Sequence, residues 1–145
     1  MWIDLLNPEA SETAFVEKTT GLVVPSLDEL SEIESSSRLR TRDGALYLSL
    51  PLIYTAEPDE PMSTPVGFVL TGDRLITVRF AELPSFASFA DRTFSPDSPP
   101  VTSAGIFTEL LEAIGDRLAD ALERSASELD SLSHRLFRAG DRPVR

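Results

Sequence analysis

The chain has 145 residues, enough for one domain with a buried core, and its formal net charge is −11. So acidic a chain disfavours binding to nucleic acid or to anionic lipid headgroups, because both require clusters of Lys and Arg. The absence of cysteine excludes disulfides, cysteine-ligated zinc and thiol catalysis. Neither a signal peptide nor an apolar run of about 20 residues is present, so we expect the chain to be soluble.

The N-terminal segment predicts a short strand that leads into a helix. Trp2–Pro8 is mostly apolar up to Asn7, which is a favourable N-cap residue. Proline suits the first position of a helix, where its missing N–H is not needed. Gly21 is the expected stop, because glycine readily adopts the left-handed conformation that ends many helices. We therefore predict a strand followed by a helix over Pro8–Thr20.

A second helix is predicted over Ser26–Ser35, directly after the first. Ser26 and Glu29 have the S-x-x-E spacing of a capping box. Three apolar residues then recur at helical spacing and predict one buried face: Leu27, Leu30 and Ile33. This face would pack against the sheet that the following segments predict.

The next segment predicts a β-hairpin and an acidic loop. Arg38–Arg42 and Ala45–Tyr54 have the composition of strands and are separated by Asp43-Gly44, a dipeptide typical of tight hairpin turns. The stretch from Glu57 to Pro61 is acidic and interrupted by prolines. We therefore expect a loop between this hairpin and the next strand.

The apolar run Thr64–Phe80 predicts a second hairpin, closed by Gly72-Asp73. Glycine can adopt the positive φ that a type II′ turn requires. With this loop, three residue pairs face each other across the strands: Leu70 and Leu75, Phe68 and Thr77, and Val69 and Ile76. Both faces of the hairpin are largely apolar, so we expect helices to cover it on both sides.

The C-terminal part predicts two helices separated by a linker. Pro84 opens a short helix that carries Phe86 and Phe89, and residues 95–100 (SPDSPP) have the composition of a linker. A long helical pattern follows over Ala104–Phe137. Its apolar residues are spaced by three, by four or by their sum: Phe107, Leu111, Ile114, Leu118, Leu122, Leu129, Leu132 and Leu136. Such a stripe needs a partner, either the sheet or other helices.

The order of these elements predicts an α/β fold, in which a mixed β-sheet is flanked by helices and followed by a long C-terminal helical arm. We divide the chain into a sheet domain over residues 1–94, a Pro/Ser-rich linker over residues 95–103 and a helical arm over residues 104–145. The sequence contains no phosphate-binding loop, nucleophile elbow or dinucleotide-binding turn. The one histidine, His134, falls on the surface of the arm. We therefore expect neither enzymatic activity nor an organic cofactor.

Two groups of acidic residues could supply oxygen ligands to a hard cation such as Mg²⁺. The first group lies in the proline-broken loop and comprises Glu57, Asp59 and Glu60. The second group lies on one face of the long helical pattern and comprises Asp116, Asp120 and Glu123. A solvated surface is the simpler interpretation of both groups, and Arg117 and Arg124 flank the second.

Three segments, taken in order, resemble the cytoplasmic domain of the CorA-type metal-ion transporters, a family that includes the zinc transporter ZntB. They are WIDLLNPEASE, LDELSEIESSSRLRTRDGALYLSLPLI and PVGFVLTGDRLITVRF, the last followed by Phe86 and Phe89. The resemblance extends from Trp2 to the region of Phe137. The resemblance rests more on the order and spacing of these segments than on any single motif.

The resemblance implies a regulatory domain and not a complete transporter. Family members are homopentamers whose α/β domains form a cytoplasmic funnel. A stalk helix then leads to two membrane helices and a Gly-Met-Asn signature at the pore. The chain stops at Arg145 without these parts, so the resemblance implies a soluble fragment of a protein at the cytoplasmic face of the inner membrane. Its partners would be identical subunits and divalent cations.

The resemblance also implies a regulatory metal site. Magnesium-sensing members bind Mg²⁺ between neighbouring cytoplasmic domains, through one acid in the loop after the central strand and another on the stalk helix. The first acid corresponds to Asp59, with Glu57 or Glu60 as close alternatives, so this chain would hold half a site. In that mechanism intracellular Mg²⁺ bridges acidic subunits and favours the closed channel.

Two other interpretations stay open. A ZntB-like protein would share the fold and move zinc, and neither the absence of cysteine nor the single histidine distinguishes the two branches. A stand-alone soluble interaction module is the alternative from a different class. In that case the helical arm over Ala104–Phe137 would pair with a partner.

Overall fold

A five-stranded mixed β-sheet forms the centre of the fold. The computed structural model describes residues 1–32, 34, 38–56, 60–94 and 101–140. The elements in chain order are β1 (Trp2–Leu6), α1 (Ala10–Thr20), α2 (Leu27–Leu30), β2 (Leu39–Arg42), β3 (Ala45–Ala56), β4 (Glu60–Leu70), β5 (Leu75–Arg79), α3 (Pro84–Thr93) and α4 (Ser103–Gly140). The strand order is β1-β5-β4-β3-β2, and β1 runs parallel to β5 whereas the other neighbours are antiparallel. The predicted mixed sheet with a long C-terminal helix is confirmed.

Helices cover both faces of this sheet. On one face, Val16 of α1 and Leu30 of α2 pack on buried strand residues: Ala45, Tyr47, Val69, Ile76 and Val78. On the other face, α3 and the first turns of α4 pack on Leu52, Val66, Phe68 and Leu75. The side chains that α3 and α4 contribute to this core are Phe86, Phe89, Ile106, Leu110 and Ile114.

The β4–β5 hairpin is buried on both faces, as its sequence predicts. Every residue of β5 is buried, and so are the neighbouring apolar residues of β4 from Val66 to Val69. The three predicted cross-strand pairs are present: Leu70 and Leu75, Phe68 and Thr77, and Val69 and Ile76. Because side chains alternate along a strand, this register sends Phe68 towards α3 and α4 and Val69 towards α1 and α2.

The turn that closes this hairpin differs from the predicted type II′ turn, because Gly72 does not have a positive φ. The side chain of Thr71 holds the turn in place instead. Its hydroxyl accepts a hydrogen bond from the Arg74 amide at 3.2 Å and donates one to the Asp73 carboxylate at 3.0 Å. The hydrogen bond from Thr71 lowers the pKa of the Asp73 carboxyl, and the neighbouring Arg74 charge adds to this effect.

The β2–β3 turn has the predicted Asp43-Gly44 sequence at its tip. Asp43 has φ of 50° and Gly44 has φ of 78°. Two successive positive φ values are those of a type I′ turn, whose twist matches that of the flanking strands. The first predicted hairpin is therefore confirmed, with strands over Leu39–Arg42 and Ala45–Ala56.

The start of α1 corrects the prediction that Asn7 caps a helix beginning at Pro8. Asn7 has a positive φ of 45°. Its backbone amide donates to the backbone carbonyl of Arg79 at 2.9 Å, so Asn7 extends the pairing of β1 with β5. The N-cap is Glu9, which forms a reciprocal capping box with Glu12. Because this hydrogen bond holds Asn7 in the sheet, the helix begins at Ala10 and not at the predicted Pro8. Gly21 ends the helix in the left-handed conformation, as predicted.

The second helix is shorter than predicted. Ser26 and Glu29 form the expected capping box, but α2 covers only Leu27–Leu30, and the predicted Ile33 lies outside the described residues. Leu30 is buried against β4 at a close approach that glycine makes possible. A Cβ added to Gly67 would lie 2.8 Å from the nearest methyl of Leu30 and 3.2 Å from Pro25. Close packing at Gly67 therefore fixes the position of α2.

The long helix packs on the sheet only through its first turns. Ile106, Leu110 and Ile114 are buried, whereas Phe107 and Leu111 of the predicted stripe are half-buried beside them. The remaining members of the predicted stripe are exposed: Leu118, Leu122, Leu129, Leu132 and Leu136. The 38-residue helix confirms the predicted helical pattern. Its second half projects from the sheet as an arm, and each residue of this arm adds about 1.5 Å to its length.

The predicted linker is described only at its C-terminal end, since residues 95–100 lie outside the described part of the chain. Ser103, which the sequence places in the linker, already begins α4 and is buried. Its hydroxyl donates to the Thr71 carbonyl at 2.8 Å and so ties the start of α4 to the β4–β5 turn. The division at residues 94 and 104 into a sheet domain, a linker and an arm stays a prediction.

A partly buried ion pair links the edge strand β1 to β5. Arg79 donates to Oδ2 of Asp4 from Nε at 3.0 Å and from Nη2 at 2.8 Å, and its Nε also reaches Oδ1 at 3.2 Å. Asp4 also accepts from the Thr77 hydroxyl, which itself accepts from the Trp2 indole. Burial alone would lower the pKa of Arg79, but the hydrogen bonds and charge of Asp4, with a smaller effect of Glu82, raise it above its ordinary value. The guanidinium therefore stays charged beneath α3, with its centre 5.0 Å from the centre of the Phe86 ring.

Replacing Arg79 with methionine should destabilise the fold, because the partly buried Asp4 carboxylate would lose its charged hydrogen-bond donor. We expect the free energy of unfolding to fall by about 1–3 kcal/mol, measured by urea denaturation. Arg74→Met is the matched control, since Arg74 pairs with the exposed Asp73 and should cost under about 1 kcal/mol. Equal losses in the two variants would contradict a structural role for the Asp4–Arg79 pair.

Gly67→Ala should also destabilise the fold, because the added methyl would overlap the side chain of Leu30 and push α2 away from β4. We expect a loss of about 1–3 kcal/mol in the free energy of unfolding. The control is Gly72→Ala, at a position where an added Cβ meets no atom within 4 Å and φ is not positive. A neutral result for Gly67→Ala would show that α2 is not held by this contact.

Candidate functional site

The first acidic group falls at the end of the β3–β4 ladder. Glu60 begins β4, is exposed and pairs with Ala56. Glu57 and Asp59 lie outside the described residues. The pairing of β4 with β5 stops at Val66, so the β3–β4 ladder continues beyond the rest of the sheet towards Glu60. Glu60 is therefore accessible to a neighbouring molecule, and the metal-binding role of the loop acids stays a prediction.

The second acidic group does not form a metal site by itself. Its members are exposed along the outer surface of α4: Asp116, Asp120 and Glu123. Arg117 and Arg124 alternate with these acids, and the Arg124 guanidinium donates to the Asp120 carbonyl at 3.3 Å. Across the described ranges, no three His, Asp or Glu side chains converge in a way that could hold a metal ion. The simpler interpretation, a solvated charged face, fits this geometry.

A further acidic surface, beyond the two groups predicted from the sequence, lies between the end of α3 and the beginning of α4. Glu109, Glu112 and Asp116 line an open cavity of about 450 Å³, opposite Arg92 and Thr93 of α3. The spacing of these acids along α4 is visible in the sequence, but their position opposite α3 is not, because it depends on how the two helices pack. The surface is open to solvent, and the basic side chain of Arg92 lies among the residues that line it.

An amphipathic groove lies on the opposite side of α4, next to the free end of β3. Its volume is about 220 Å³, and its apolar wall is formed by Leu52, Tyr54, Leu83, Ile114 and Leu118. Arg117 and Arg124 provide its polar rim. The residues come from β3, α3 and α4, so sequence spacing could not bring them together.

The described residues contain no arrangement typical of catalysis. His134 is exposed on the projecting half of α4. The Asp4 carboxylate accepts hydrogen bonds from Arg79 and Thr77 and so joins two strands. Every buried side-chain nitrogen and oxygen of the described residues has a hydrogen-bond partner.

The described helices include none that is both long enough and apolar enough to cross a membrane. The longest of them, α4, carries acidic or basic residues in every part of its length. This finding concerns the described residues alone.

Comparisons with solved structures identify the fold. Over 98% of this chain and 43% of the other, the structure of the full-length CmaX protein superimposes with a TM-score of 0.77 at 20% identity. The soluble domain of CorA from Methanocaldococcus jannaschii matches 94% of this chain and 55% of that domain, with a TM-score of 0.73 at 19% identity. The cytoplasmic domain of ZntB from Vibrio parahaemolyticus matches 88% of this chain and 53% of that domain, with a TM-score of 0.62 at 18% identity.

Sequence comparison extends this result. The magnesium transport protein CorA of Escherichia coli K12 is 29% identical over 133 residues, which cover 92% of this chain and 42% of that protein. The chain therefore spans less than half the length of the curated relatives it matches. The sequence model described as "CorA-like Mg2+ transporter protein" matches residues 1–145. On this evidence the chain belongs to the CorA-like Mg²⁺ transporter family.

Proposed function

We propose that this chain is the cytoplasmic regulatory domain of a CorA-type divalent-cation transporter and that Mg²⁺ is its regulatory ion. The observation that carries the proposal is the family match over all 145 residues, on a fold shared with soluble domains of such transporters. The ion-conducting part would belong to a longer protein, because the chain corresponds to 42% of the length of a related transporter. The domain would act at the cytoplasmic face of the inner membrane, and its proposed role is regulation, not enzymatic catalysis.

The acidic loop is the proposed regulatory half-site. Glu60 is exposed at the end of a ladder that extends beyond the rest of the sheet, and Glu57 and Asp59 precede it in the sequence. Carboxylate oxygens are preferred ligands of Mg²⁺, and one or two carboxylates with bound waters are a common ligand set. We assign Asp59 as the first ligand, with Glu57 or Glu60 as alternatives. The second half of the site would come from a neighbouring subunit.

The net charge of the chain supports regulation by a cation. Each copy carries a formal charge of −11, so identical copies repel one another at short range. A divalent cation bound between two acidic surfaces would lower this repulsion and favour the closely packed assembly. The cation can act as a regulator only if it binds the closed assembly more tightly than the open one. In the proposed mechanism, a fall in intracellular Mg²⁺ lets the subunits of a homopentamer separate and the channel open.

A zinc transporter is the second candidate function. The superposition on the ZntB cytoplasmic domain, with a TM-score of 0.62, supports this alternative. The two functions share the fold and differ in the ion, so the metal dependence of the loop distinguishes them.

The first test uses the full-length protein that contains this chain, with Asp59 replaced by asparagine. We expect Mg²⁺ to protect the original protein against limited proteolysis and to protect the Asp59→Asn variant at least about tenfold less effectively, since a carboxylate ligand is lost. The measurement is the Mg²⁺ concentration that halves the rate of cleavage. Asp43→Asn is the control, because Asp43 is an exposed acid in a turn with positive φ, which asparagine tolerates.

The outcomes separate the two candidate ions. Unchanged protection in Asp59→Asn would remove Asp59 from the site, and the same measurement on Glu57→Gln and Glu60→Gln would test the alternatives. Protection by Zn²⁺ but not by Mg²⁺ would favour the zinc transporter. Absence of protection by either ion would contradict the proposed regulation.

A further inference from the structure

The β3–β4 ladder extends beyond the rest of the sheet as a two-stranded ribbon. β2 bonds to β3 only as far as Ser49, and β5 pairs with β4 only as far as Val66. β3 and β4 continue to pair with each other up to the acidic loop. We call this extension, residues 50–56 with residues 60–65, the ribbon. In the part of the chain that the structure describes, no third strand pairs with it.

The ribbon needs support from outside its own two strands, because an isolated pair of strands is at best marginally stable in water. Backbone hydrogen bonds do not supply this support at its base, where Pro51 and Pro65 lie opposite each other. Proline has no amide hydrogen, so the backbone of this pair offers no donor to a third strand. Beyond this pair, side-chain packing has to hold the ribbon in place.

One face of the ribbon provides this packing. Side chains alternate between the two faces of a strand. Leu52 is buried and Tyr54 is half-buried, and both pack in the core cluster that includes Ile114 of α4. The outer face of β3 is exposed at Ile53 and at Thr55. The inner face of the ribbon therefore rests on the core beside α4.

Among the described side chains that pack on this core cluster, Tyr54 lies nearest to the acidic loop. It stands two ladder positions before the pair formed by Ala56 and Glu60. Its own partner across the ladder, Met62, is 42% exposed. Tyr54 also lines the amphipathic groove together with Leu118 of α4. The placement of the ribbon end therefore depends on this one aromatic ring.

We propose that Tyr54 is a positioning residue for the acidic loop, since its ring holds the end of the ribbon against the core and so fixes the place of Glu60. This inference rests on the proposed function of the loop. Tyr54 and a bound cation favour the same placement of the ribbon, so their effects are linked. Removing the ring lowers the affinity for the cation, and binding of the cation tightens the ribbon against α4.

The first experiment tests the packing alone, through amide hydrogen exchange of the 145-residue chain without metal. Tyr54→Ala should speed exchange of the ribbon amides at least about fivefold, because the ribbon loses its support. The amides of β4 and β5 from Val66 to Val78 should stay slow. Fluorescence of Trp2, which lies beside Phe89, verifies that each variant keeps its folded sheet.

Two further variants serve as controls. Ile53→Ala removes the neighbouring side chain of the same strand, which is 63% exposed, and should change exchange far less than Tyr54→Ala. Tyr54→Phe keeps the ring and should behave as the original chain. Ribbon exchange that is equal in the original chain and in Tyr54→Ala would overturn the proposal.

The second experiment uses the full-length protein and measures the Mg²⁺ concentration that halves the rate of proteolysis. We expect Tyr54→Ala to raise this concentration at least about fivefold, and Ile53→Ala and Tyr54→Phe to leave it unchanged. If Tyr54 served stability alone, Tyr54→Ala would speed cleavage at every Mg²⁺ concentration without moving the midpoint. That result would overturn the positioning role. If only Zn²⁺ protects the original protein, the same midpoints are compared with Zn²⁺.

The two experiments separate a failure of this inference from a failure of the proposed function. Protection of the original protein with an unchanged midpoint in Tyr54→Ala rejects the role of Tyr54 and leaves the regulatory function standing. Absence of protection by either ion contradicts the proposed function, and hydrogen exchange then decides by itself whether Tyr54 holds the ribbon.

Discussion

Burial of the β4–β5 hairpin on both faces is the constraint on which the rest of this structure depends. Because Phe68 and Val69 point to opposite faces and both are inaccessible to water, each face of the sheet requires its own helical cover. α1 and α2 supply one cover, and α3 with the first turns of α4 supplies the other. The positions of both edge strands follow from this centre, with β1 held to β5 by the Asp4–Arg79 pair.

The sequence predicts the parts of the fold that depend on local spacing. Alternation and loop length give the correct pairing of Phe68 with Thr77, and the capping box gives the start of α2 at Ser26. The failures occur where a distant contact outweighs a local preference. Asn7 is a good cap residue, but the hydrogen bond from its amide to Arg79 keeps it in the sheet. The bidentate pairing of Asp4 with Arg79 likewise joins residues 75 positions apart.

The candidate site, too, could be predicted from the sequence only in part. The acids of the loop and of α4 could be identified from the sequence, and the structure places Glu60 and the α4 acids on exposed surfaces. The amphipathic groove could not be predicted, because its walls come from three separate elements. The stripe on α4 was predicted as one surface, but the sheet uses a neighbouring face and leaves the residues from Leu118 onwards exposed. The first turns of α4 therefore belong to the core, whereas its second half lies outside it.

In the proposed function, a buried central hairpin holds in place an acidic surface that responds to a cation. Amide hydrogen exchange on the full-length protein, with and without Mg²⁺, tests this most directly. We expect Mg²⁺ to slow exchange near residues 55–62, while the amides of β4 and β5 from Val66 to Val78 are slow under both conditions because they are already buried and paired. Exchange near residues 55–62 that does not change with Mg²⁺ would contradict the regulatory role of the acidic loop.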